Sequence, residues 1–296
     1  MASHSYLGTL FDTPQRHQLR VVEGALVTVN AAGVIEAVLD PQAAPDPHAA
    51  AVAAAEATGT LTRLAAGQYL LPGLVDLHVH APQWPQMGKA LDRPLEVWLQ
   101  DYTFPLEARY ADVAFAARSY TSLVETLLAN GTTTVAYFAT THVPASVLLA
   151  RICLEKGQRA VVGRVAMDLP DQCPPYYRDA SPAESVALSE QFIQEVRALP
   201  GNEAQRVLPA VIPRFIPSCS HEALVGLGAL AQRYGCHVQT HCSESDWEHH
   251  HVRDRYGKHD AFALDDFHLL TRKTVLAHSN FLSSDDMDLI KARGCV

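Results

Sequence analysis

Apolar and polar residues alternate along two early stretches, Leu19–Val29 and Gly33–Val38, with the period of half-buried β-strands. Between them Asn30-Ala31-Ala32-Gly33 carries turn chemistry, so the pair reads as two strands joined by a turn. Residues 41–66 lose the pattern. Ala and Pro dominate there and large apolar side chains are scarce, which predicts a loop or loosely helical insertion that carries little chemistry. From Leu71 onward short β-branched runs alternate with amphipathic helical stretches. The runs are Leu74–Val79, Thr133–Phe138, Ala160–Ala166, Arg206–Ile212, Cys236–Thr240 and Thr274–Ala277. Between them Ser181-Pro182-Ala183-Glu184 predicts a capping box with Pro at the first helical position. Ser220 with Glu222 opens a further helix that ends at Gly235, and Asn130-Gly131 and Gly157 are stop signals.

Strand and helix units in such a series predict a parallel sheet, and closure toward a (β/α)₈ TIM barrel is the solution that places polar residues at the carboxyl ends of the strands. An open doubly wound sheet is the alternative, but no G-x-G-x-x-G or P-loop follows the early strands. Residues 1–70 are therefore expected to form an N-terminal β unit, a small β-sandwich portion with the Ala/Pro-rich insertion, and residues 71–296 the α/β barrel.

Composition adds exclusions. A chain of 296 residues, 48% hydrophobic and 19% charged, can bury a large core. Its net charge of -9 comes without any Lys/Arg cluster, which argues against a nucleic-acid surface. No apolar run is long enough to cross a membrane and the first residues lack a signal-peptide pattern, so a cytoplasmic location is expected. The 6 cysteines include no C-x-x-C pair and read as reduced thiols. Without a P-C-x-x-C element, a zinc site of the cysteine-ligated deaminase type is not expected.

The strand ends supply the candidate chemistry. Leu71-Pro72-Gly73 turns into an apolar run that closes on His78 and His80, whose i, i+2 spacing puts both imidazoles on one side of a strand. That is half of a zinc site. Gln239-Thr240-His241-Cys242-Ser243-Glu244 ends another strand with a third imidazole and a carboxylate able to reach water at a metal without ligating it. His278 ends a further strand, as a ligand or, preferably, as a group that stabilises developing charge. Tyr137, Thr140, His142, Asp168 and Arg214 complete the polar inventory of these ends. The run His249-His250-His251 reads as a solvated helix surface, because consecutive helical residues diverge.

Taken together, these segments resemble the guanine deaminases of the amidohydrolase superfamily. The likeness is carried by Leu71–Gln83, Tyr102-Thr103-Phe104-Pro105, Asn130-Gly131-Thr132-Thr133-Thr134, Tyr137-Phe138-Ala139-Thr140, Pro213-Arg214-Phe215, His241-Cys242-Ser243-Glu244 and Ala277-His278. The resemblance implies a metal-dependent hydrolase barrel that deaminates guanine to xanthine, with one Zn²⁺ on His78, His80 and His241. It further implies that Gln83 and Arg214 hydrogen-bond the polar edge of the base with Phe215 beside it. Glu244 would shuttle a proton to a ring nitrogen, and His278 would assist the attacking hydroxide. A homodimer is implied as well. Zinc is preferred over iron, which His/Asp sites also hold. The strand ending Val211-Ile212-Pro213-Arg214 carries no metal-bridging lysine, which favours the one-metal branch over dihydroorotase-like chemistry.

One departure stands out. The sequence closes at Arg293-Gly294-Cys295-Val296, where a seventh strand is expected, so the family's zinc-binding aspartate after the eighth strand has no counterpart. A barrel of about six units is the expectation, and with it a chain whose own activity is in question. The alternatives are another purine, pyrimidine or triazine aminohydrolase of the same superfamily, or a catalytically dead interaction protein.

Overall fold

In the computed structural model, which describes residues 3–296, the chain divides into two compact units that part between Gly73 and Leu74. In the first, β1 (His4–Gln15) and β2 (Gln18–Val29) form an antiparallel hairpin, and β3 (Ile35–Leu39) adds antiparallel to β2. The turn before β3 is held by the Asn30 side chain, which accepts from the backbone N–H of Ala32 and Val34 at 2.9 and 3.0 Å. Gly33 sits there at φ +80°, a conformation glycine adopts without strain.

The insertion is more regular than its composition predicts. Helix α1 (Pro45–Ala57) starts with Pro in its first turn and runs through alanines. The chain then returns as β4 (Leu61–Arg63) and β5 (Tyr69–Leu70), both parallel to β1. Alanine lacks the bulk that reveals periodicity, yet it is the best helix former, so pattern reading left loop and loose helix open where the structure has a regular helix. Leu10, Val22 and Ala25, with Leu70 against them, form the small core of this five-stranded sheet.

The second unit strings six parallel strands in chain order: β6 (Leu74–His80), β7 (Thr132–Phe138), β8 (Arg159–Ala166), β9 (Val207–Pro213), β10 (His237–Cys242) and β11 (Thr274–His278). Each matches a predicted run to within two residues at either end. The short α2 (Leu95–Trp98) and α3 (Phe104–Ala108) lie in the segment after β6 that reaches the strand ends, and the longer helices α4 (Val113–Ala129), α5 (Val143–Lys156) and α6 (Pro182–Arg197) pack on the strands from outside. They go on through α7 (His221–Tyr234), α8 (Asp246–Tyr256) and α9 (Asp260–Asp266) to α10 (Ser284–Arg293).

Capping explains most boundaries. Ser220, Ser245 and Ser283 each accept a first-turn N–H, while Gly157, Gly235, Gly257 and Gly294 close their helices in the left-handed conformation. Ser181 accepts from Glu184 N–H as predicted, but the Glu184 carboxylate returns to Ala180 N–H and not to Ser181, so the box is not reciprocal.

The sheet curls into an unclosed barrel. β6 and β11 lie at opposite edges of the hydrogen-bonded order, yet the rings of His78 and His278 come within 5.7 Å of one another across the interior. Strands β8 and β9 are buried along most of their length, as a parallel sheet covered by helices requires. Inside the fold Arg164 is fully buried and pairs with Asp179, which Ser185 also bonds; Arg164 Nε donates to Thr141 O at 2.9 Å. Among the described residues no helix is long and apolar enough to cross a membrane.

Candidate active site at the carboxyl ends of the strands

Every residue singled out from the sequence for metal, substrate or proton transfer lines one cavity of about 220 Å³. His78, His80, Gln83, Arg214, Phe215, His241, Glu244 and His278 face it, and Leu95, Trp98 and Leu99 supply apolar wall. The other strand-end polar groups do not join them. Asp168 accepts from the backbone and hydroxyl of Ser220 at 2.8 and 2.6 Å, which anchors the start of α7. Tyr137 donates its hydroxyl to Gln158, and Thr140 and His142 are taken up in the start of α5.

The histidines meet because the barrel folds β6 against β10 and β11. His78 Nδ1 lies 2.9 Å from Gln239 Oε1, and His241 Nδ1 lies 2.7 Å from Arg214 O. Each ring is thus oriented by the bond on one nitrogen, which leaves the other for the histidine cluster. His78 Nε2 is buried with no hydrogen-bond partner, an orphan that a metal ion would satisfy. Ring nitrogens of His78, His241 and His278 all lie within 4.8 Å of one another. His80 is set differently: its Nε2 approaches His241 Nε2 at 2.9 Å. His278 is thus drawn into the convergent trio, which the i, i+2 pattern alone could not show. Burial holds His78 below the usual imidazole pKa, and burial together with the neighbouring histidines pushes His80 and His241 well below it. Neutral imidazoles crowded on one point are the donor set of a metal centre.

The loops that follow β10 and β11 are tied together. Ser243, His278 and Ser279 adopt positive φ of +48°, +69° and +56°, strained for residues with a side chain and held by surrounding bonds. Ser279 N–H donates to Cys242 O at 2.8 Å, Asn280 N–H to Ser243 O at 3.0 Å, and Asn280 Nδ2 to Glu244 O at 2.9 Å. Glu248 accepts Glu244 N–H at 2.8 Å and Asp260 accepts Ser243 N–H at 3.0 Å. The Glu244 carboxyl ends 3.4 Å from His278 Nε2, and burial raises its pKa above the ordinary range.

The reading of the His249-His250-His251 run changes here. His249 is buried rather than solvated, its ring 4.7 Å from that of His259 and Nδ1 3.9 Å from Asp260, because α8 packs this face against α9; His250 remains exposed. Glu107 was missed altogether. It is fully buried in α3, clamps Arg214 through both oxygens at 2.6 and 3.3 Å, and accepts from Gln83 Nε2 at 3.0 Å. Burial opposes the charge of Arg214, and Glu107 more than compensates, keeping it above its usual pKa. The available signal was an acid two residues beyond Tyr102-Thr103-Phe104-Pro105 in an otherwise apolar turn.

The amidohydrolase family model matches residues 69–295. The chain belongs to the amidohydrolase family. This amidohydrolase is 39% identical over 236 residues to the probable guanine deaminase of Schizosaccharomyces pombe, an alignment covering 79% of the chain and 44% of that protein. It is 41% identical over 229 residues to the guanine deaminase of Homo sapiens, covering 77% of the chain and 49% of the relative. Among solved structures, guanine deaminase from C. acetobutylicum with guanine bound in its active site superposes with a TM-score of 0.85 at 29% identity, over 99% of the chain and 66% of that structure. The amidohydrolase chain thus spans about half the length of the curated relatives it matches.

Proposed function

We propose that this chain carries the site of a zinc-dependent guanine deaminase, which hydrolyses guanine to xanthine and ammonia. The observation that carries the reading is the single cavity in which a histidine cluster, a buried arginine with a glutamine, and a glutamate of raised pKa face one another. The likeness to guanine deaminases supports the choice of substrate.

His78, His80 and His241 would hold the zinc. When bound, the ion supplies Lewis acidity and makes a hydroxide-like nucleophile available at neutral pH. Gln83 and Arg214 hydrogen-bond the polar edge of the base, and Phe215 packs beside its ring. Burial raises the Glu244 pKa, which favours its protonated form, and Glu244 passes a proton to a ring nitrogen, which makes the neighbouring amino-bearing carbon electrophilic. His278, within 3.4 Å of Glu244, stabilises charge at the attacking oxygen. Overall, water adds at the amidine carbon and the amino group leaves as ammonia.

The test measures ammonia release from guanine by the purified chain alongside its zinc content. Gln83→Ala is expected to retain zinc while guanine turnover falls at least about tenfold. Bound zinc without guanine binding or turnover, or equal loss of zinc and turnover in Gln83→Ala, overturns the substrate assignment.

A further inference from the structure

Glu107 decides which way round the Gln83 amide faces. An ionised carboxylate only accepts hydrogen bonds, so the group that Gln83 offers it at 3.0 Å has to be the amide NH₂. The carbonyl oxygen Oε1 then remains for the cavity as an acceptor. The same carboxylate engages Arg214 through both oxygens, and the guanidinium lies 4.9 Å from the centroid of the Phe104 ring, which pins its plane. Arg214 can only donate. Glu107 is 0% exposed and Arg214 2% exposed, so neither group has water to trade partners with. One wall of the cavity therefore presents a fixed pair, an acceptor beside a donor.

We propose that Glu107 is a specificity-determining positioning residue, which locks Gln83 and Arg214 into an acceptor-donor pair that selects a ring bearing a carbonyl beside an N–H. A 6-oxopurine meets that pair with its oxygen on Arg214 and its N–H on Gln83 Oε1. A 6-aminopurine presents the inverse, an amino donor beside a bare ring nitrogen, and leaves buried partners unpaired. Both kinds of base can carry the 2-amino group, so the choice is made at the 6-substituent and the ring nitrogen beside it and not at the amino group that leaves. The inference rests on the guanine-deaminase reading and deepens it.

The experiment compares calorimetric binding of guanine and of 2,6-diaminopurine to the zinc-supplemented chain, with Glu107→Gln and Gln83→Leu as variants. Thermal melts report folding. Wild-type protein is expected to prefer guanine by at least about tenfold, and both variants to bring the ratio of affinities close to unity. A merely structural role for Glu107 would weaken both ligands alike and leave the ratio standing. If Glu107→Gln fails to fold, Gln83→Leu decides, since it removes the acceptor and keeps the Glu107–Arg214 pair. An unchanged preference in the folded variants, or a wild-type chain that binds both purines equally, overturns the inference and leaves guanine as substrate. A wild-type chain that binds neither purine overturns the functional reading and the inference with it.

Discussion

At the level of single residues, the four histidines of the cavity are not equivalent. His241 is buried and its Nδ1 is committed to Arg214 O, which aims the other nitrogen at its neighbours. His278 is half-exposed at a left-handed backbone position and stands beside Glu244. His241→Ala is expected to lower zinc affinity at least tenfold, whereas His278→Ala is expected to keep zinc and lose about a hundredfold or more in turnover. Metal analysis on the two variants, paired with ammonia release, separates these roles. Equal zinc loss in both would make His278 a ligand, as the convergence of its ring with His78 and His241 permits.

Among the elements, α7 owes its seat to a missing side chain. A Cβ built on Gly228 would lie 1.9 Å from the carbonyl oxygen of Phe267, the residue that caps α9. Alanine would favour the helix by about 1 kcal/mol, yet a backbone carbonyl cannot move aside as a flexible side chain could. Gly228→Ala is therefore expected to destabilise the fold by about 1–3 kcal/mol, read as a lower midpoint in urea. A raised midpoint would show that α7 and α9 can part at no cost. The Arg164–Asp179 pair is a second such test. Both side chains are buried, so Asp179→Ala strands a guanidinium without a partner and is expected to cost about 3–5 kcal/mol by the same measurement. A loss below about 1 kcal/mol would mean that water reaches Arg164.

Taken whole, the barrel unit is a curled sheet in which β6 pairs on one side only among the described residues, while the outer side of β11 bonds the backbone of Val296 through Leu276 N–H at 2.8 Å and Thr274 O at 3.0 Å. Leu74, Val75 and Leu77 of β6 are exposed along that edge. The histidine cluster bridges the first, fifth and sixth strands of this sheet, so an ion bound there ties an edge strand to the far side. Zinc at about a hundredfold over its dissociation constant adds ~2.7 kcal/mol to stability by mass action. For a domain of this size that is a rise in Tm of about 5–10 °C, measurable by a thermal scan of metal-free and zinc-supplemented protein. No rise would show that the chain holds no zinc, and an equal rise in His241→Ala would place the ion elsewhere.

Local order was legible because its causes are local. Strand runs, serine caps and glycine stops act within a few residues, and each barrel strand lies where the apolar period puts it. The Ala-rich α1 was legible only as a loop or loosely helical insertion, because small side chains carry no visible period. The resemblance to a known family brought the sparse motifs His78-Val79-His80, Pro213-Arg214-Phe215 and His241–Glu244 into one expected site. What sequence could not determine is which polar groups spend their bonds on the scaffold and which remain free. Asp168 is consumed by Ser220, His249 turns inward against α9, and Glu107 reaches a partner 107 positions away. These outcomes depend on contacts made by closing the sheet, where a buried charge has to find an opposite charge and a histidine takes its direction from whatever bonds its second nitrogen. The chain alone thus specified the strands and the candidate ligands; the tertiary structure decided their partners, and through Glu107 the direction in which Gln83 faces the cavity.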